Sequence, residues 1–125
     1  MIKLDSFRNV INIRDVTWEP YSVQGRVQDD CSWYNISYDE TGSGSFLFRF
    51  APGAASIAHE HVGWEEFFIL EGEIEECDGT VYRTGDLVSL KPASKHWSAS
   101  KSGAVTLVFV RGGFRTLDTD EPVHD

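Results

Sequence analysis

The stretch Gly53–Gly72, GAASIAHEHVGWEEFFILEG, sets two histidines and a carboxylate pair directly ahead of a run of aromatic and aliphatic residues. His59 and His61 stand two apart, so on an extended chain both imidazoles leave from the same face. Glu65 follows Val62-Gly63-Trp64, and a bend at Gly63 returns the chain so that its carboxylate faces the cavity both imidazoles face. From Glu65 to Leu70 large apolar groups stand on both faces. That pattern fits a strand lining a cavity on one side and packing against a second sheet on the other. Glu66 competes with Glu65; Glu65 is preferred because its face also carries Phe67 and Ile69, which leaves Glu66 as a surface or interface carboxylate.

Outward from this stretch, no window carries an apolar stripe at helical spacing. Short alternating segments recur between turn signals instead, the pattern of an antiparallel all-β domain. Val10–Ile13 and Trp18–Val23 read as entrance strands, with Pro20 favouring an edge, and Trp33–Tyr38 as another. After the turn Asp39–Gly44, Ser45–Phe50 places Phe46, Phe48 and Phe50 on one face. Glu71-Gly72-Glu73 interrupts the strand begun at Glu65, and Ile74–Cys77 continues after it. Cys77-Asp78-Gly79-Thr80 signals a tight hairpin into Val81–Arg83, and Thr84-Gly85-Asp86 leads to Leu87–Leu90. A polar loop around Pro92 precedes His96-Trp97-Ser98, and Ser102-Gly103 turns the chain into Ala104–Arg111. From residue 112 to 125 the chain is a polar, acidic tail, expected to be loose or laid over a neighbour, with His124 uninvolved. This many strands in 125 residues require a barrel or a double-layer sandwich, which also protects strand edges.

Length and composition bound the function. A chain of 125 residues accommodates one domain, and 41% hydrophobic with 13% aromatic residues argues against disorder. Twenty acidic against 11 basic side chains, a net charge near -9, repel phosphate backbones and make nucleic acid an unsuitable partner. No apolar run is long enough to span a membrane, and Met1–Asp5 does not resemble a signal peptide, so cytoplasmic residence is expected. Cys31 and Cys77 have no ligand-pair or redox spacing and read as buried free thiols, with a single disulfide as the alternative.

The chemistry concentrates in His59, His61 and Glu65, with a further nitrogen available from His96 on a later hairpin. Imidazole nitrogens and a carboxylate oxygen together suit Fe(II), Mn(II), Zn(II), Ni(II) or Cu(II). A His-X-His pair is also compatible with surface decoration or a hydrogen-bonded core. The apolar strands around Glu65 favour the metal, because a buried carboxylate needs a counter-charge or donors. Phe48, Trp64, Phe67, Ile69, Trp97 and Phe109 are candidate lining residues of the pocket, each with ordinary packing as the alternative. Arg49 and Lys95 are the cations near the motif, with solvent-facing roles as the alternative to holding an anionic substrate.

These residues resemble the cupin superfamily. Its first motif is glycine, five residues, His-X-His, three or four residues, glutamate, six residues and glycine, matched by Gly53, His59, His61, Glu65 and Gly72. Its second begins at Gly85-Asp86 and ends at His96; Lys91 and Ala93 stand where the superfamily usually has proline and glycine. The resemblance spans Phe46 to Val110, and is greatest to small single-domain cupins related to acetylacetone dioxygenase and to the cupin domain of the anti-sigma factor ChrR.

The resemblance implies an all-β, double-stranded β-helix, a jelly-roll-like barrel. It makes 1–125 one cupin domain, with N-terminal strands in 1–44 offering dimer contacts, a metal-binding core in 45–111 and the tail in 112–125. It further implies one divalent transition metal per chain on His59, His61, Glu65 and His96, Fe(II) favoured over Mn, Zn or Ni. Four ligands on an octahedral ion leave two positions for water, dioxygen or a chelating substrate. The implied activity is dioxygenase cleavage of a small diketone or hydroxyketone, by a cytoplasmic homodimer acting on a small molecule. A non-catalytic metal- or ligand-binding sensory module, or a metal-dependent isomerase, is the alternative the scaffold leaves open.

Overall fold

The computed structural model describes residues 2–23 and 25–117, and every regular element among them is a strand. In chain order these are β1 (Glu19–Val23), β2 (Arg26–Asn35), β3 (Gly44–Phe50), β4 (His59–His61), β5 (Glu65–Glu76) and β6 (Val81–Arg83). They are followed by β7 (Leu87–Leu90), β8 (Lys95–His96), β9 (Ser98–Ala99), β10 (Ala104–Val110) and β11 (Phe114–Thr116). Eight of them form a curled, open sheet in the order β1-β2-β3-β10-β5-β6, with β7 and β9 also pairing with β5. The other three make a small sheet in the order β11-β4-β8. The whole is an all-β, cupin-like double-stranded β-helix.

The inner face of the large sheet is the core. Phe46, Phe48 and Phe50 alternate along β3 and pack with Phe67 and Ile69 of β5 and with Val108 and Val110 of β10. Alternation reverses once within β5. Glu65, Phe67 and Ile69 are buried at odd positions, whereas Ile74 and Glu76 are buried at even ones. The cause is a β-bulge, since Thr106 pairs with Ile69 and Val105 with Glu71, which leaves Leu70 without a partner on β10. Gly72 completes the bend with φ 79°, and a Cβ there would stand 2.1 Å from the Gly103 carbonyl oxygen. The interruption expected at Glu71–Glu73 is thus a bulge inside one 12-residue strand, not a break between two.

Several sequence expectations need correction, among them the strand Trp33–Tyr38, since β2 begins at Arg26 and ends at Asn35. Val10–Ile13 is not a strand; Val10 is 81% exposed and pairing begins only at Glu19. Among the described residues no strand pairs with these four apolar or amide residues to complete a ladder. The tail beyond Gly113 is not loose throughout, because Phe114–Thr116 pairs in register with His59–His61. The open edge of β4 supplies the backbone partners, and the Phe114 ring packs at 5.2 Å from the His59 ring. The rest of the acidic tail from residue 118, including His124, lies outside the described residues.

Cys31 is a buried free thiol, raised to about 12 by its burial and then by the charge of Asp30. Cys77 is also free but only partly buried, so the expectation of burial holds for one of the two. No described helix is long and apolar enough to cross a membrane.

Candidate metal centre

Two strands of the small sheet and the first residue of β5 build the site. His59 is the register partner of His96, so β4 and β8 set the two imidazoles side by side. His61 lies on the same face of β4 as His59, as a two-residue spacing on a strand requires. Its N–H donates to the Ser94 carbonyl and its carbonyl accepts from Ala93, which ties β4 to the loop that delivers His96. Ala93 has φ 71°, a left-handed conformation that normally selects glycine, at the position where the second cupin motif usually has glycine. Between β4 and β5 the chain turns at Gly63, whose missing Cβ would lie 2.2 Å from the Arg111 carbonyl oxygen. That close approach swings Glu65 inward.

The four side chains converge. His61 Nε2 lies 3.1 Å from His59 Nε2 and 3.1 Å from His96 Nε2. Glu65 Oε1 stands 3.2 Å from His61 Nε2 and 3.6 Å from His96 Nε2. One donor atom from each residue lies within 4.8 Å of the other three. Neighbouring ligands held at about 2.1 Å from one ion at right angles would be about 3 Å apart, so these spacings match a shared ion.

Tautomers decide whether the cluster wants a cation. His59 Nδ1 stands 2.6 Å from the Ile57 carbonyl, which only accepts, so Nδ1 carries the proton and Nε2 of the neutral ring presents a lone pair. His96 Nδ1 donates to both oxygens of Glu76, at 3.0 and 2.9 Å, with the same consequence for its Nε2. Two imidazole lone pairs and a carboxylate therefore aim at one point. Such a cluster is repulsive until a proton or a cation joins it, and the donor set suits a divalent transition metal. The buried Nδ1 of His61 has no hydrogen-bond partner among the described residues, which fix two of the three imidazole tautomers.

The titration of the metal-free groups follows from these contacts. Burial lowers His59 to about 4, the charge of Glu65 opposing it only in part. Burial would also lower His96, but hydrogen bonds and charges from Glu65 and Glu76 outweigh it and raise the group to about 9. Burial would raise Glu65, yet hydrogen bonds from His61 and His96 hold it well below the usual carboxylate range.

Glu76 is the residue that sequence reasoning missed. Besides His96, it accepts from the Tyr82 hydroxyl at 2.9 Å and the Ser98 hydroxyl at 3.2 Å. In the sequence it ends a run with Glu71, Glu73 and Glu75, and no spacing there sets it apart from them. Only the Gly72 bulge, carried past Ile74, would have turned Glu76 inward. Glu66 lies on the outer side of β5, 3.9 Å from Arg111, as its assignment to a surface carboxylate requires.

A cavity of about 480 Å³ opens on the cluster, lined by His59, Glu65 and His96 together with Phe48 and Phe67. Four other expected lining residues stand elsewhere. Ile69 is fully buried in the core, and Phe109 is 48% exposed on the outer face because its position on β10 alternates with inward Val108 and Val110. Trp64 precedes β5 in an exposed turn, and Trp97 points away from its neighbour His96, as alternation along an extended chain dictates. The lining includes instead Tyr21, Trp33, Phe46 and Phe114. Arg49 lies on the outer face, donating to Ser32 Oγ at 3.0 Å and standing 4.6 Å over the Trp18 ring.

A curled β-sheet enclosing three histidines and one glutamate around a cavity defines a metal-binding cupin. Residues 7–114 match the family described as the ChrR cupin-like domain, and the chain belongs to that family. No curated protein matches its sequence. Among solved structures it is similar to an acetylacetone dioxygenase from Acinetobacter johnsonii, with TM-score 0.75 and 17% identity over 100% of this chain and 88% of that one. An RmlC-like cupin from Ralstonia eutropha JMP134 gives TM-score 0.77 and 18% identity over 99% and 82%. The polyketide cyclase RemF from Streptomyces resistomycificus gives 0.71 and 16% over 91% and 88%.

Proposed function

We propose that the protein is a metal-dependent oxygenase that holds one Fe(II) on His59, His61, Glu65 and His96 and cleaves a small diketone or hydroxyketone with dioxygen as the oxidant. The observation that carries the reading is the convergence of three imidazoles and a carboxylate within 4.8 Å of one another at a largely apolar cavity. A bound divalent ion would supply positive charge and exchangeable positions to a substrate that chelates through two oxygens. The chain does the rest. Ile57 and Glu76 orient His59 and His96 through their Nδ1 protons, and the Phe48 and Phe67 side of the cavity limits water. The structural likeness to an acetylacetone dioxygenase supports the substrate class as an analogy.

A second reading, a non-catalytic ligand-binding module, is favoured by the family's description through ChrR. Oxygen uptake by the Fe(II)-loaded protein with a panel of diketones and hydroxyketones separates the two. The oxygenase consumes oxygen, and Glu65→Gln stays folded by circular dichroism while metal affinity and uptake fall at least about 10-fold. Stoichiometric iron with no uptake on any diketone or hydroxyketone contradicts the oxygenase.

We also infer a homodimer in a reducing cytoplasm. Ile2, Phe7 and Val10 are each more than 80% exposed ahead of β1, and covering them with a second copy in a two-fold pair supports this assembly. The free thiols of Cys31 and Cys77 suit that compartment. Light scattering at micromolar concentration should give twice the chain mass; a monomer contradicts it.

A further inference from the structure

The wall of the cavity carries more aromatic surface than a five-carbon diketone needs. Six rings run edge to face in a continuous chain: Phe50 to Phe48 at 5.0 Å, Phe48 to Tyr21 at 4.9 Å, Tyr21 to Trp33 at 6.0 Å, Trp33 to Phe46 at 5.7 Å, and Phe46 to Tyr38 at 5.5 Å between centroids. All six line the cavity that His59, Glu65 and His96 line. Tyr21, Trp33 and Tyr38 are only partly buried, so ring surface is left to pack against a ligand. The volume, about 480 Å³, falls in the roughly 300–1,000 Å³ range of pockets that enclose drug-sized ligands.

The charges of the same wall are one-sided. Among the described lining residues there is no lysine or arginine, while Glu65 lies beside the metal point and Glu40 is exposed at the rim. A divalent ion with Glu65 as ligand carries one residual positive charge, and a chelating enolate neutralises it. A further carboxylate or phosphate on the ligand would be buried without a counter-charge, which is costly. The protein's overall charge of -9 adds to that penalty.

We propose that the cavity selects an uncharged, ring-bearing diketone or hydroxyketone, with the chelating oxygens at the histidine cluster and the ring seated on the Tyr21, Trp33, Phe46 and Phe48 rings. The proposal rests on the metal centre being the point of chelation, and it narrows the substrate class from any small diketone. Edge-to-face contacts with a seated ring contribute beyond area burial, and a planar ring loses little conformational entropy on binding.

Three ligands with the same β-diketone chelate but different tails test it on the zinc-loaded protein, read by calorimetry and proton NMR. Benzoylacetone carries a neutral ring, acetylacetone no ring, and 4-(3-oxobutanoyl)benzoate the same ring with a carboxylate remote from the chelate. Benzoylacetone is expected to bind at least about 10-fold more tightly than acetylacetone, given what a buried ring contributes. Its phenyl protons should move upfield in the ring currents of the wall, and 4-(3-oxobutanoyl)benzoate should bind at least about 10-fold more weakly than benzoylacetone. Equal affinities, or preference for 4-(3-oxobutanoyl)benzoate, overturn the selectivity while leaving the chelating centre intact. If zinc is held stoichiometrically and none of the three binds, the chelation reading falls and the selectivity falls with it. The expected order without oxygen uptake by the iron-loaded protein would uphold the ligand class and remove only the oxygenase.

Discussion

At the scale of single residues, the site is a set of protons placed by neighbours. Ile57 and Glu76 each fix one imidazole by accepting a hydrogen bond from its Nδ1–H, so the Nε2 atoms are aimed at the metal point before any metal arrives. The pH dependence of the metal-free fold follows. His59 is lowered to about 4 from 6.5, so between these values the unfolded chain holds a proton that the folded chain refuses, and stability falls as pH falls. His96 is raised to about 9, so above 6.5 the folded chain holds a proton that the unfolded chain has lost, and stability falls as pH rises toward 9. Glu65, held below its usual range, adds further loss in acid. Melting temperature of the metal-free protein should therefore peak near pH 6.5, the ordinary histidine value. With metal bound, His96 must give up its Nε2 proton, and the alkaline decline should disappear; an alkaline decline unchanged by metal contradicts the assignment of His96. Glu76→Gln should keep the fold and weaken metal binding by about 10–100-fold, as loss of a carboxylate behind a ligating histidine does. Metal titration checks it, and unchanged affinity would make Glu76 a bystander.

At the scale of elements, β5 positions both carboxylates of the site with one irregularity between them. Before the bulge its odd positions face inward and deliver Glu65; after it the even positions do and deliver Glu76. Gly72→Ala should cost about 2–4 kcal/mol, from an added Cβ against the Gly103 carbonyl and a left-handed backbone. Chemical denaturation measures this, and a neutral result would mean that the bulge relaxes freely. The same irregularity explains what was legible in the sequence. Alternation showed that Phe46, Phe48 and Phe50 share a face, and the fixed gaps from Gly53 to Gly72 marked His59, His61 and Glu65. A period-2 rule cannot carry phase across a bulge, and counted from Glu65 it puts Glu76, an even position, on the outer face. Phe114 was hidden for another reason. Three residues between Gly113 and a polar tail have too little pattern to announce a strand, and only the open edge of β4 recruits them.

At the scale of the whole molecule, two sheets divide the work. The large sheet supplies the aromatic wall and the core, and the small sheet supplies all three histidine ligands from β4 and β8. The all-β cupin fold was legible from the density of short strands and turns, but the openness of its sheet and the cavity's lining were not. Trp64 and Trp97 are neighbours of ligands in sequence yet face outward, whereas Tyr21 and Trp33 are distant in sequence and reach the cavity through the pairing of β1, β2 and β3. Because the core is packed by apolar side chains from the large sheet, metal removal should leave the fold intact, which circular dichroism of the chelator-treated protein checks. The most direct test of this account is an anomalous-difference map from crystals grown with Fe(II) or Mn(II). The predicted result is one peak per chain, about 2.0–2.3 Å from Nε2 of His59, His61 and His96 and from a Glu65 carboxylate oxygen. A peak ligated by Glu76 instead of Glu65, or full occupancy of a site lacking any one of the three histidines, would contradict it.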